Sequence, residues 1–171
     1  MSVKRVEPAT KNASADSKER LRLWLKLLKA SRLMEADLRE RFRSQFDTTL
    51  PRFDVMAALA RKPQGLRMSE LSAELKVSNG NVTGIVDRLV GDGVILRVPV
   101  DNDRRAMVVR LTQKGLEIFE ALAREHEGWV DGLLGGLDPG EARELGRALD
   151  RISAEATAHM EALRSGEKEA K

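Results

Sequence analysis

Between Met68 and Leu111 the spacing of apolar residues changes character twice, and this stretch restricts the possible folds more than any other. A short helical pattern, Met68–Leu75, carries Leu71 and Leu75. After only Lys76-Val77-Ser78 a second begins, in which Val82, Ile85, Val86 and Leu89 recur at three and four residues. Ser78 stands at its N-cap position, and Gly91 and Gly93 close it. The period then becomes strand-like. Val94–Val98 (VILRV) and Met107–Leu111 (MVVRL) are β-branched and apolar, and the polar, basic loop PVDNDRRA separates them. Two short helices around a tight turn, followed by a β-hairpin, make a helix-turn-helix with a wing.

The flanks read as helices. From Lys18 to about Phe46, Leu21, Trp24, Leu28, Met34, Leu38, Phe42 and Phe46 mark a helix about 43 Å long. That exceeds the diameter of a small domain, so part of it is expected to pack on a second chain. Pro51 suits the first turn of a second helix, with Phe53, Met56, Ala57 and Ala60 on its apolar face. Thr112 caps a fifth helix running to about Leu134. Asp138-Pro139-Gly140-Glu141 opens a sixth, striped by Leu145, Leu149, Ile152, Ala156, Met160 and Leu163. The fold class is mainly α with a small β-hairpin wing. A winged helix-turn-helix domain over 49–112 is expected between helical dimerisation segments at 18–48 and 113–164, with a disordered tail at 1–17 and another at 165–171.

Composition excludes several function classes. The chain has no Cys and two His, His126 and His159, which removes disulfides, thiolate metal sites and thiol redox sensing and argues against a His-rich metal centre. There is no Gly-rich phosphate loop and no convincing acid–base pair, so the expectation is no enzyme, no cofactor and no metal. No apolar run reaches the roughly 20 residues of a membrane span, and the N-terminus lacks the apolar segment of a secretory signal, which leads us to expect a cytoplasmic protein. With 30 Lys+Arg against 27 Asp+Glu the net charge is only +3, so the placement of charge decides more than its sum.

That placement points to double-stranded DNA. The major groove, about 12 Å wide, admits one helix, and the N-terminal end of the Ser78 helix would enter it. Ser78, Asn79, Asn81 and Thr83 can all donate hydrogen bonds there, Gly80 lets the backbone come close, and Arg88, more than two turns along, is expected to reach the DNA backbone at most. Either Asn79 or Asn81 can read adenine. In the hairpin, Arg104 and Arg105 follow Asp103; guanidinium suits the negative potential of a minor groove, and an adjacent carboxylate can hold it for insertion.

From about Leu50 to Gly115 the sequence resembles the MarR family of bacterial winged-helix regulators, through MSELSAELKVSNGNVTGIVDRLVGDGVILR and DNDRRAMVVRLTQKG. The long flanking helices extend the likeness to residues 20–163. The resemblance implies that Arg105 is the minor-groove residue, Asp103 its orienting partner and Arg104 a further groove or phosphate contact. It also implies a homodimer built from the first, fifth and sixth helices, a pseudo-palindromic site with half-sites about 10 bp apart, and release, as from a repressor, by a small aromatic acid or its acyl-CoA thioester; SNGNVTGIVDRL is similar to regulators of hydroxycinnamate catabolism. Lys76 departs from the Gly common in such turns, and Ser72 from the usual Ala. An effector pocket is expected from Leu28, Ser31, Arg32 and Glu35 on the first helix with Phe53 and Met56 on the second. The basic run Arg20, Arg22, Lys26, Lys29 and Arg32 is either a solvated face or an anion strip. Two other readings stand beside this one: a non-sensing architectural DNA-binding protein, and a helical protein–protein adaptor.

Overall fold

The computed structural model describes residues 10–100 and 103–169. Six helices and one hairpin follow in the order α1 (Thr10–Phe46), α2 (Leu50–Ala60), α3 (Met68–Leu75), α4 (Asn79–Gly91), β1 (Ile95–Val100), β2 (Asp103–Leu111), α5 (Gln113–Leu134) and α6 (Pro139–Glu169). The chain forms two compact units, one ending at Glu127 and one beginning at Gly128.

In the first unit, α2, α3, α4 and the hairpin enclose a core of short aliphatic side chains. Val55, Ala58, Leu59, Leu71, Val82, Val86, Leu89, Ile95 and Val109 are almost wholly buried. The helix starts follow the capping rules. Thr49 caps α2 by accepting from the Arg52 N–H, and Pro51 sits in the first turn where no N–H is needed. α3, for which the sequence offers no good cap, is closed by Glu70, whose carboxylate accepts from the Arg67 N–H at 2.7 Å. Thr112 caps α5 by accepting from the Gly115 N–H at 2.9 Å while donating to the Gly93 carbonyl at 2.8 Å. One side chain thus ties the start of α5 to the end of the α4 turn. Gly115 is required here, because a Cβ on it would lie 2.0 Å from the Val94 carbonyl oxygen.

The hairpin pairs antiparallel from Ile95↔Leu111 to Pro99↔Met107, and then Val100↔Asp103. Its other edge is also engaged: Leu66 and Val109 exchange N–H···O bonds of 3.0 and 2.8 Å. Gly65 precedes this bridge at φ +90°, with the Val109 carbonyl only 2.8 Å from where a Cβ would stand.

Three boundaries differ from the sequence reading. The tail expected at 1–17 is helical from Thr10, since nothing between Thr10 and Ser17 breaks a helix and a long exposed helix propagates without an apolar face; residues 1–9 lie outside the described ones. The tail expected from 165 is helical to Glu169. The loop PVDNDRRA is largely strand, with only Asp101 and Asn102 outside the described residues.

An aromatic cluster joins α1, α2 and α5. The Phe53 ring lies 4.9 Å from Phe42, 5.7 Å from Phe119 and 4.7 Å from His126, and His126 also stacks on Phe42 at 5.9 Å. Burial holds the His126 imidazole below its ordinary 6.5. The fold therefore favours the neutral ring. Its contribution is complete above pH 6.5 and is lost as the pH falls from there through the lowered folded value. Thermal unfolding should show Tm falling from pH 7.5 to 5.5, with a shallower slope in His126→Phe. An equal slope in the variant would assign the proton uptake to other groups.

The second unit contains the end of α5 and all of α6. Asp138 caps α6 by accepting from Gly140 and Glu141 N–H at 2.6 and 3.0 Å, while Glu141 accepts from the Asp138 N–H at 2.9 Å, a reciprocal capping box. Leu145, Leu149, Ile152, Met160 and Leu163 remain exposed along α6.

Candidate nucleic-acid interface

The turn between α3 and α4 depends on Lys76, which adopts the left-handed conformation at φ 54°, ψ 38°. This is the position where the sequence reading noted a missing Gly. The Lys76 N–H reaches the Ala73 carbonyl at 3.3 Å and the Val77 N–H reaches Ser72 at 3.2 Å, which ends α3 and redirects the chain. Ser72 itself is buried, its hydroxyl donating to the Met68 carbonyl at 2.9 Å, so a hydroxyl in place of the usual Ala is accommodated.

α4 has two faces. Val82, Val86 and Leu89 are fully buried against the core, with Ile85 half-buried. The opposite face presents Ser78, Gly80, Asn81, Thr83, Gly84 and Arg88 to solvent. Ser78 occupies the N-cap with extended backbone, yet among the described residues its hydroxyl makes no capping hydrogen bond. Gly84 was not singled out from the sequence, although it lies one turn after Gly80 on the same side. A surface salt bridge from Arg97 of β1 to Asp87 at 2.5 Å adds a tie between α4 and the hairpin.

In the wing the register steps between Pro99 and Val100, so that Arg104, Arg105 and Ala106 face no β1 residue. Proline has no N–H to donate, and a bulge of this kind re-aims the strand. The two arginines thus stand in the bulged part of β2 and not in a loop. The side chains of Asn79, Asp103, Arg104 and Arg105 lie outside the described residues.

A family model described as MarR family matches residues 46–106. The solved structure of a MarR family transcriptional regulator from Silicibacter pomeroyi is 33% identical, with a TM-score of 0.69 over 82% of this chain and 97% of that one. The chain belongs to the MarR family. It is accordingly a winged helix-turn-helix, DNA-binding transcription regulator. The transcriptional activatory protein BadR of Rhodopseudomonas palustris is 34% identical over 128 residues, 72% of this chain and 71% of its own length. A mutant MarR of E. coli, solved in complex with operator DNA, is 27% identical with a TM-score of 0.69, covering 78% of this chain and 95% of that one.

The residues expected to line a MarR family effector pocket do not all border one of the hollows described here, although Glu35 of α1 lies close enough to α2 to act on Asp54. Phe53 is buried in the aromatic cluster, and Met56 lines a hollow of about 330 Å³ with Phe46, Thr48, Arg52, Leu89 and Ile118. Leu28, Ser31, Arg32 and Glu35 precede Phe46 by 11 to 18 residues on the continuous helix α1, which puts them roughly 16 to 27 Å from that end. They are not among the residues that line this hollow, although Leu28 is half-buried. Glu35 instead pairs with Arg39 at 2.5 Å. Burial first, and Glu35 second, push the Asp54 carboxyl up, with Arg39 opposing. Arg52 was missed from the sequence. Its terminal nitrogen bonds Asp92 at 2.6 Å, and its Nε is buried with no partner among the described residues. Among those residues no helix is long and apolar enough to cross a membrane, and no group of acidic and His side chains could hold a metal.

Proposed function

We propose that this protein binds a pseudo-palindromic operator as a homodimer, acts as a repressor, and is released by a small aromatic acid, free or as its CoA thioester. The observation that carries the DNA part is the two-faced α4. Its inner face is locked into the core, while its outer face offers Ser78, Asn81, Thr83 and Arg88 around glycines that nothing inside the chain requires. A Cβ on Gly80 or Gly84 would meet nothing within 4 Å, so packing does not explain them, whereas close approach of a duplex does. Asn79 completes this face in sequence, and Asp103, Arg104 and Arg105 follow in the bulged wing, where Arg105 enters the minor groove held by Asp103. The exposed apolar stripe of α6 supplies a dimer surface, and the exposed Leu21, Trp24 and Leu25 of α1 supply another.

The 330 Å³ hollow supports the effector reading. It is mostly apolar, within the size range of small-molecule sites, and contains a guanidinium with an unused buried N–H. A carboxylate seated there would lie beside the Arg52 guanidinium while its ring lay against Met56, Leu89 and Ile118. Such a volume takes a single ring, so the nucleotide of a CoA thioester would extend outside it. Because α2, α4 and α5 all line the hollow, a ligand in it would favour one spacing of the paired recognition helices over another. A 100-fold change in DNA affinity needs only about 2.7 kcal/mol of such coupling. The repressor sign rests on the resemblance alone; the Rhodopseudomonas relative is by name an activator.

The test is a mobility shift on the protein's own promoter with benzoate, 4-coumarate and their CoA thioesters. At least one of these should abolish the shift and raise the Tm, and Arg52→Gln should raise the half-effective concentration tenfold or more while DNA binding persists. A shift insensitive to all four would favour the non-sensing DNA-binding protein. No shift on any duplex would favour the adaptor.

A further inference from the structure

A second hollow, about 400 Å³, opens where the C-terminal part of α1, the start of α2 and the outer face of α4 converge. Its walls carry Arg39 and Arg43 from α1, Thr49 and Pro51 from the α2 entry, and Asn81 and Arg88 from α4. Three guanidinium groups on two separate helices thus border one open space, and that space is continuous with the α4 surface through Asn81. Arg39 and Arg43 are not singled out in the sequence; in the structure each pairs with a carboxylate four or three positions earlier.

Those pairings do not use up the charge. Arg43 holds Glu40 at 2.7 to 3.1 Å and Arg39 holds Glu35 at 2.5 Å, but all four side chains are exposed, and such pairs are weak and readily exchanged for a doubly hydrogen-bonded phosphate. Arg88 has no ion pair among the described residues. The Thr49 hydroxyl accepts from the Arg52 N–H at 3.4 Å, which leaves its own proton to donate. The positive end of the α2 dipole adds to the same field.

We propose that this hollow holds a backbone phosphate of the bound duplex, beside the base pairs that α4 reads, so that the α1–α2 corner is part of the DNA interface. This rests on the DNA-binding reading above. Such a contact fixes register and contributes affinity without reading sequence. Arg39 and Arg43 then act as positioning groups, and Arg88 bridges the phosphate and the recognition helix.

The experiment compares wild type with Arg39→Ala/Arg43→Ala by fluorescence anisotropy, on a promoter duplex and a scrambled duplex, from 50 to 300 mM salt. Both affinities should fall alike, about five- to thirty-fold at the lowest salt, and the slope of log K against log salt should decrease by roughly one to two. The Lys versions of both positions should restore most of the slope. Unchanged affinities and slope, while Asn81→Ala still weakens promoter binding, would overturn the phosphate site and leave the regulator reading intact. Wild type that binds neither duplex would overturn both. Titration of pyrophosphate without DNA covers the remaining source: micromolar binding lost in the double variant would assign the hollow to a small phosphorylated ligand and overturn the DNA assignment.

Discussion

Leu149→Asp combined with Ile152→Asp is expected to convert the protein to a folded monomer and to lower operator affinity on the order of 100-fold or more. Both side chains sit three residues apart in the α6 stripe and are about two-fifths exposed, at 38% and 43%, with Leu145, Met160 and Leu163 likewise uncovered. A row of five large apolar side chains on one helix is more than a lone surface leucine, which needs no explanation, and a second copy of the chain is the occupant proposed here. Two carboxylates facing each other across a two-fold axis would be desolvated next to like charges, which a dimer cannot tolerate. The winged unit should be unaffected, since its core lies in α2, α3, α4 and the hairpin. The loss of DNA affinity follows from separating two half-site contacts that reinforce each other. Analytical ultracentrifugation reads the first effect and anisotropy the second. A stable dimer in the double variant would refute the placement of the interface on α6.

Arg105→Ala should weaken operator binding by about 1–3 kcal/mol, roughly five- to 150-fold, with no change in Tm. The residue lies where the β2 register steps and no β1 residue opposes it, so truncating it removes no ladder pairing. Arg105→Lys should recover only part of the loss, because a compact ammonium lacks the flat, weakly hydrated guanidinium suited to a narrow groove. Competition between the promoter duplex and one with altered flanking A·T steps would localise the effect to the minor groove. Affinity equal to wild type in Arg105→Ala would mean that the wing does not enter the duplex.

Local signals made much of this legible. α3 agrees with the sequence reading at both ends, and α4 and α5 start where Ser78 and Thr112 predicted, because caps and apolar periods are properties of neighbouring residues. The start of α1 was not legible, since an exposed helix has no periodic face to announce it. The extent of the wing was missed for a related reason: Asp, Asn and Arg read as loop, but cross-strand pairing carried by Val98, Pro99 and Met107 extends the ladder past them. The candidate pocket was the least legible part. Its lining is gathered from α1, α2, α4 and α5, and the residue that marks it, Arg52, is conspicuous only because a buried Nε is left over after Asp92 takes the terminal nitrogen. No pattern along one helix reports such a remainder.

The isolated bridge between Leu66 and Val109 gives the root of β2 a hydrogen-bonded neighbour on each side, β1 along one edge and the α2–α3 connection at one point of the other. Motion of the hairpin is therefore divided unequally. Below Pro99 the ribbon must travel with the α2–α3 connection as one stiff piece, and adjustment to a groove of different width is taken up above it, where the pairing has already slipped. A regulator built this way can tolerate variation in the DNA flanking its site without tilting the helix that reads the centre.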